Sequence, residues 1–149
     1  MTELRYDITP TAPLATGETV LASLTPDRAT YIRDHAWMAA IAMGIGMAIL
    51  FAIGNPHVWT GAIGGLAAIV LRGWFMASEE LHTRWDLTDR RLLGPGARAI
   101  GLAEIREINT LISAVQVVTL SGGKHLIKYQ RDAGATRALI ERVRAGGRP

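Results

Sequence analysis

From Ala36 to Leu71 the chain carries no Asp, Glu, Lys or Arg. Charged residues make up 19% of the 149-residue sequence, so the charges are concentrated on either side of this stretch. A surface helix of a soluble domain carries charged side chains on the face that meets water. A charge-free stretch of this length therefore predicts helices surrounded by lipid, and it excludes a disordered chain and a single water-soluble globule as the expected structure.

The apolar region divides into two segments, each long enough to cross a bilayer as an α-helix. The first, residues 36–53, has no polar side chain. As a helix it extends about 27 Å, close to the hydrocarbon core of about 30 Å. The turn-forming residues Gly54-Asn55-Pro56-His57 follow, and a second segment covers residues 58–77. We therefore predict a transmembrane helical hairpin.

The arginines near the hairpin indicate its orientation. The turn contains no arginine. Arg28 and Arg33 precede the first segment. Arg72 lies near the end of the second segment, and Arg84, Arg90 and Arg91 follow it. The positive-inside rule then places both ends of the hairpin in the cytoplasm. The predicted order is a cytoplasmic leader (1–35), the hairpin (36–77) and a cytoplasmic domain (78–149).

Residues typical of membrane interfaces stand near the ends of the two segments. Trp37, Trp59 and Trp74 lie where aromatic belts are expected. Arg72 is close to the end of the second segment, from which its long side chain can reach the interface. We predict these four residues as interface anchors.

Small residues recur at helical spacing in both segments. Gly61 and Gly65 form a GxxxG pattern, and Ala40, Gly44 and Ala48 form a stripe at intervals of four. Such residues allow close approach of helix backbones in lipid. Two interpretations are open: the two stripes face each other inside this hairpin, or one of them contacts a transmembrane helix of another protein.

The periodicity changes to that of β-strands after the hairpin. In residues 81–88, Leu81, Thr83, Trp85 and Leu87 alternate with polar side chains, which predicts a half-buried strand. Further short strands are expected at residues 90–93, 98–102 and 104–108, although the spacing of Ile105 and Ile108 would also suit a helical turn. Residues 114–120 and 124–129 read as a β-hairpin around a Ser-Gly-Gly turn.

The chain is expected to close with an amphipathic helix. Asp132 is a suitable N-cap, apolar or small side chains follow at residues 136, 139, 140 and 143, and Gly146 is a natural stop. About six short strands with one covering helix form a small antiparallel β-domain. The predicted fold class is thus an α+β membrane protein.

The segment Leu87-Thr88-Asp89-Arg90-Arg91, with the preceding Trp85 and the later pattern from Ile100 to Ile108, resembles the bacterial pleckstrin-homology-like (bPH) membrane protein family. Gly17-Glu18 resembles the lead-in of that family. The resemblance covers nearly the whole chain, although the part between Ile108 and Val115 is short for the pattern. It implies a partly open β-barrel with a C-terminal capping helix, attached to the bacterial inner membrane.

The common catalytic and metal-binding motifs are absent from the sequence. The chain has no cysteine, and its four histidines do not pair at metal-ligand spacings. Ser121-Gly122-Gly123-Lys124 lacks the upstream glycine of a phosphate-binding loop, and no serine stands in a nucleophile-elbow pattern. We expect no enzymatic activity, no metal and no cofactor.

The basic excess lies in residues 72–149, which hold thirteen Lys and Arg against eight Asp and Glu. Two interpretations of Asp89-Arg90-Arg91 are open: a turn in which an arginine pairs with a carboxylate such as Asp86, or part of a basic rim for anionic headgroups or a partner. That rim would hold Arg90, Arg91, Arg98, Lys124 and Lys128. Nucleic acid fits less well, because no aromatic platform stands among these residues.

We therefore expect a non-enzymatic accessory or assembly subunit of a larger inner-membrane complex, respiratory or photosynthetic. Its expected partners are membrane lipids and an integral membrane protein. The alternative is a module that binds anionic lipid headgroups.

Overall fold

The computed structural model describes residues 8–149, so residues 1–7 of the predicted leader lie outside the described part. The chain divides into two compact units. The helical unit comprises residues 28–78, and the β unit combines residues 8–27 with residues 79–149. The protein is thus an α+β protein with two long apolar helices and small antiparallel sheets.

Two helices form the helical unit. They are α1 (Arg28–Ala52) and α2 (Thr60–Glu80), and the last two residues of α2 are counted with the β unit. Both are long and apolar enough to cross a membrane. The predicted helical segments and the turn between them are confirmed, and both helices extend beyond the charge-free stretch.

Close backbone contact joins α1 to α2. A Cβ atom at Gly46 would collide with the backbone of Gly61, and a Cβ atom at Gly65 would meet the backbone of Ala42. At the other end, the Tyr31 hydroxyl donates to the Gly73 carbonyl (2.8 Å). These contacts define an antiparallel register in which small residues allow the helices to approach each other.

The α1 stripe that meets α2 is displaced from the predicted one. Gly61 and Gly65 do face α1, but the residues opposite them are Gly46 and Ala42. The predicted stripe of Ala40, Gly44 and Ala48 lies on an exposed face of α1. Nearly every position of α1 is small or aliphatic, so spacing alone did not distinguish one face from the other.

Seven antiparallel strands and one helix build the described part of the β unit. The first sheet has the order β1-β2-β3-β4, with β1 (Val20–Leu24), β2 (Trp85–Thr88), β3 (Arg91–Leu93) and β4 (Ala99–Gly101). A 3-10 turn (Leu102–Glu104) leads to the second sheet, with β5 (Ile105–Leu111), β6 (Ala114–Thr119) and β7 (Lys124–Ile127). Helix α3 (Ala133–Arg144) packs on β5 and β6.

The core of the β unit lies between the two sheets and α3. Its fully buried side chains come from both sheets and the helix, and they include Leu87, Leu92, Ile105, Val115, Val117, Ile127 and Ile140. Burial of each such side chain contributes about 1.5 to 3 kcal/mol. The predicted N-cap of α3 is confirmed, because the Asp132 carboxylate accepts from the Ala135 amide (2.9 Å). Gly146 follows the helix with a φ of 86°.

Strand β2 differs from the prediction in length and in burial. It begins at Trp85, because α2 continues to Glu80. All four residues of β2 are buried, including Asp86 and Thr88 on the face that was expected to meet water. The leader supplies partners to these side chains: the Thr88 hydroxyl donates to Glu18, and Ser23 of β1, the strand that pairs with β2, donates to Asp86.

The segment between Ile108 and Val115 forms a tight hairpin. Strand β5 continues to Leu111, and Ile112 and Ser113 form a two-residue turn into β6. The pairing of Leu111 with Ala114 closes this hairpin.

Candidate functional site

One buried carboxylate of the leader, Glu18, contacts the end of β2 and the start of β3. Glu18 accepts from Arg91 Nη2 (2.6 Å) and Arg91 Nε (3.0 Å), from the Thr88 hydroxyl (2.6 Å), and from the Ala15 amide (2.7 Å). The hydrogen bonds from Arg91 are the main cause that lowers the pKa of Glu18 from 4.5 to about 2. Arg91 is therefore engaged in holding the leader.

The remainder of the β2–β3 turn also contacts the leader. The Asp89 carboxylate accepts from the Thr19 amide (3.0 Å), and Arg90 Nη1 lies 3.4 Å from the Thr16 carbonyl oxygen. The arginine–carboxylate pair that the sequence placed at Asp86 is formed by Glu18 instead. Asp86 pairs with Arg84 (3.2 Å) and accepts from the Ser23 hydroxyl.

A cavity of about 150 Å³ opens between the two sheets. Its apolar lining includes Leu24, Trp85 and Ile127, and charged groups of Arg98 and Lys128 stand at the same cavity. It is also lined by Pro26, Glu80, Thr83, Pro95, Leu126 and Gln130. The cavity thus combines apolar side chains with two cations and one carboxylate.

Two of the charged groups at this cavity are already paired. Glu80 is buried and accepts from the Tyr129 hydroxyl (2.9 Å) and from Lys128 Nζ (3.3 Å). Arg98 lies over the ring of Trp85, with 5.8 Å between its Cζ and the ring centroid, a cation–π geometry.

His125 lies edge-on to the ring of Trp85, with 6.4 Å between the ring centroids. Burial, together with the positive charge of Arg98, lowers the pKa of His125. Both causes favour the neutral imidazole over the imidazolium.

The structure does not bring the five predicted basic residues into one rim. Arg98 and Lys128 share the cavity between the sheets. Arg90 and Arg91 lie at the opposite end of the β3–β4 hairpin and contact the leader. Lys124 is exposed at the start of β7.

The predicted interface anchors all belong to the helical unit. Trp37, Trp59 and Trp74 are exposed. Arg72 Nη1 lies 3.4 Å from His35 Nε2, and His35 Nδ1 lies 2.9 Å from the Tyr31 carbonyl oxygen. Since a carbonyl oxygen only accepts and a guanidinium only donates, His35 donates from Nδ1 and accepts at Nε2.

Sequence reasoning missed three polar contacts that position these residues. They are the Glu18–Arg91 pair, the Glu80–Tyr129 hydrogen bond and the His35–Arg72 contact, whose members are separated by many residues in the chain. Only Glu18 carried a signal, in the Gly17-Glu18 lead-in. Within residues 8–149, no group of three His, Asp or Glu side chains is placed to hold a metal ion.

Comparisons with known protein families, with curated proteins and with solved structures found no match to this chain.

Proposed function

We propose that this chain is a membrane-anchored, non-enzymatic accessory or assembly subunit of a larger bacterial inner-membrane complex. The observation that carries the proposal is the exposure of the two apolar helices. Only 11% of the most apolar window of α1 and 6% of that of α2 is buried. A core helix of a soluble protein is buried by its neighbours, whereas these helices expose large apolar side chains such as Ile41, Ile45, Phe51, Ile63, Val70 and Phe75.

The register of the helices supports a bilayer-sized apolar slab. Arg72 lies beside His35, immediately before the charge-free stretch begins at Ala36. The charged groups at the open end of the hairpin therefore share one level, and the apolar stretch from there to the turn measures about 27 Å. Trp37 and Trp74 lie near that level, and Trp59 lies near the turn.

The β unit supports the cytoplasmic half of the proposal. A four-stranded sheet and a three-stranded sheet with a C-terminal helix agree with the pleckstrin-homology-like barrel that the sequence resembles. With the arginines on the side of the chain termini, the positive-inside rule places both termini and the β unit in the cytoplasm. We propose that the β unit contacts cytoplasmic parts of the same complex.

The exposed stripe of Ala40, Gly44 and Ala48 is the surface on which we place a helix of the partner. It lies on a face of α1 that α2 leaves open, and small residues allow a foreign helix to approach closely.

Purification from the native membrane in mild detergent, followed by mass spectrometry, tests this proposal. We expect an integral membrane protein to co-purify with the wild type and to be lost when Ala40, Gly44 and Ala48 are changed to Leu. The matched control changes Ala67 and Ala68 to Leu on an exposed face of α2 and should retain the partner. A chain that purifies alone under these conditions would contradict the proposed function.

The second candidate function is binding of an anionic lipid headgroup, and the cavity between the sheets favours it. Arg98 and Lys128 are the cations that line this cavity. We expect anionic lipid that co-purifies with the full chain to fall in the Arg98→Gln/Lys128→Gln variant and to persist in the surface control Arg106→Gln/Arg137→Gln. Equal lipid content in both variants would contradict this site.

A further inference from the structure

We propose that the β5–β6 turn, residues 111–113, is a second membrane contact: Ile112, with Leu111 beside it, enters the interface of the bilayer that the helical unit crosses. This inference rests on the proposed membrane anchoring. It concerns the β unit alone and involves neither the cavity between the sheets nor the helical stripe.

The first observation is an apolar side chain in a strained and exposed position. Ile112 has a φ of 54° and is 97% exposed. Two-residue hairpin turns that need positive φ favour Asn, Asp or Gly, and a β-branched residue is a rare exception. An isoleucine here costs folding stability while its side chain is almost wholly exposed, which is the pattern of a residue kept for an external contact.

The second observation is the location of the turn within the β unit. The Ser113 carbonyl accepts a hydrogen bond from the backbone N–H of Gln130 (2.7 Å). The carbonyl of the neighbouring Tyr129 accepts one from the backbone N–H of Asp27 (2.7 Å). Asp27 directly precedes α1, and Glu80, the last residue of α2, accepts from the Tyr129 hydroxyl. The turn therefore lies at the end of the β unit through which the chain passes to and from the helical unit.

This location identifies the occupant as lipid. If the helical unit crosses a bilayer, Asp27 and Glu80, each eight residues from the His35–Arg72 level, lie within about 12 Å of the apolar slab, and the end of the β unit that carries them is tethered there. Arg131 stands at this same end; it pairs with Asp27 (3.0 Å), and its side chain is 84% exposed. A basic side chain beside an exposed apolar tip suits a surface of anionic headgroups.

Leu120 provides a matched control. It is also an exposed apolar side chain, 66% accessible, but it follows β6 at the opposite end of that strand from the β5–β6 turn. A non-specific tendency of exposed apolar residues to contact lipid would affect both positions, whereas the proposed contact involves Ile112 and Leu111 but not Leu120.

The free energy expected from inserting the Ile112 side chain is modest for a free residue but sufficient for a residue on a tethered unit. Transfer of a fully exposed isoleucine side chain out of water favours the inserted state roughly ten- to a hundredfold. Because the helical unit would already hold the β unit at the membrane, the contact is intramolecular in effect and forms without further cost of association.

Single-cysteine labelling of the full chain tests the inference, and the absence of native cysteine makes it clean. Ile112→Cys, Leu120→Cys and Ile63→Cys are each labelled with an environment-sensitive fluorophore and reconstituted into phosphatidylcholine–phosphatidylglycerol vesicles with or without doxyl-labelled lipid. We expect strong quenching and a blue shift at positions 63 and 112, with position 112 quenched several-fold more than position 120.

The outcomes separate this inference from the proposed function. Quenching at position 63 together with equally weak quenching at positions 112 and 120 overturns the membrane contact and leaves the anchoring intact. Absence of quenching at position 63 overturns both. A contact with a partner protein instead of lipid would also give no quenching at position 112 in these vesicles, and it therefore counts against the proposal.

A second measurement uses a variant that keeps the turn. Asn accepts positive φ readily, so Ile112→Asn is expected to fold with the same hairpin. Amide hydrogen exchange of residues 110–114 in vesicles should be several-fold faster in Ile112→Asn than in the wild type and unchanged in Leu120→Asn. Equal exchange in the wild type and Ile112→Asn contradicts the contact.

Discussion

Replacement of Glu18 by Gln should destabilise the β unit by about 2 kcal/mol at neutral pH. The Glu18 side chain is fully buried and accepts hydrogen bonds at both oxygens, two of them from the Arg91 guanidinium. A glutamine has only one acceptor oxygen and turns an NH₂ group toward these donors. The variant therefore loses the ion pair and leaves at least one buried donor without an acceptor.

The magnitude follows from the pKa of Glu18. A pKa lowered from 4.5 to about 2 corresponds to about 3 kcal/mol of folding stability in the absence of screening. The Arg91 side chain is 28% exposed, and solvent screening reduces this to about 2 kcal/mol. Because the folded-state pKa is depressed, this stability is present above pH 4.5 and is lost as the pH falls toward about 2.

Fluorescence of Trp85 offers a direct assay of this prediction. Trp85 is buried in the β unit, so a background with Trp37, Trp59 and Trp74 changed to Phe leaves it as the single reporter. We expect denaturant unfolding in detergent to show a lower midpoint for Glu18→Gln at neutral pH and a convergence of the two proteins as the pH falls below 4.5.

Glu104→Gln is the matched control. Its carboxylate accepts only a local, exposed hydrogen bond from the Gly101 amide, so its loss should change stability by less than about 0.5 kcal/mol. If Glu18→Gln matched this control, or if its deficit were the same at every pH, the buried carboxylate would not be what holds the leader.

Three further predictions concern close contacts and one titrating group. Gly46→Val should destabilise the helical unit by about 1 to 3 kcal/mol, because the new side chain would collide with α2. Gly44→Val should not destabilise it, because the space around Gly44 is open. Thermal unfolding in detergent, followed by circular dichroism, compares the two variants. Gly94→Ala should displace the ring of Trp85, because its Cβ would lie 2.6 Å from that ring, and red-shift its emission; unchanged emission would refute this packing. The pKa of His125 is lowered, so the contribution of this residue to folding stability should be constant above pH 6.5 and decline as the pH falls through its folded-state pKa. His125→Gln should remove this pH-dependent contribution, which denaturation midpoints measured on both sides of pH 6.5 would show.

Local patterns predicted the individual elements well. The charge-free stretch with Gly54-Asn55-Pro56-His57 led to both helices and their turn, and the Asp132 cap and Gly146 stop led to α3. Each of these signals lies within a few residues of the feature it determines. The β6–β7 hairpin was recovered for the same reason.

Long-range pairings were beyond the reach of the pattern. Strand β1 pairs with β2, although the whole helical unit lies between them in the sequence. No local feature of residues 20–24 indicates that partner. The burial of Thr88 and the ion pair between Arg91 and Glu18 follow from this pairing. Arg91 is therefore not available to the predicted basic rim, and only the fold reveals the contact that occupies it. The small-residue stripe on α1 was misplaced for the same reason. The sequence shows the helical period, but it does not show which face of α1 meets α2.

We propose that the helical unit crosses a bilayer with its turn on the far side. This topology can be tested by labelling His57→Cys and Ser121→Cys with a membrane-impermeant maleimide in intact bacterial cells after removal of the outer membrane. We expect the turn position His57→Cys to react in intact cells and Ser121→Cys, in the β unit, to react only after lysis. Reaction of both before lysis, or of Ser121→Cys alone, would contradict it.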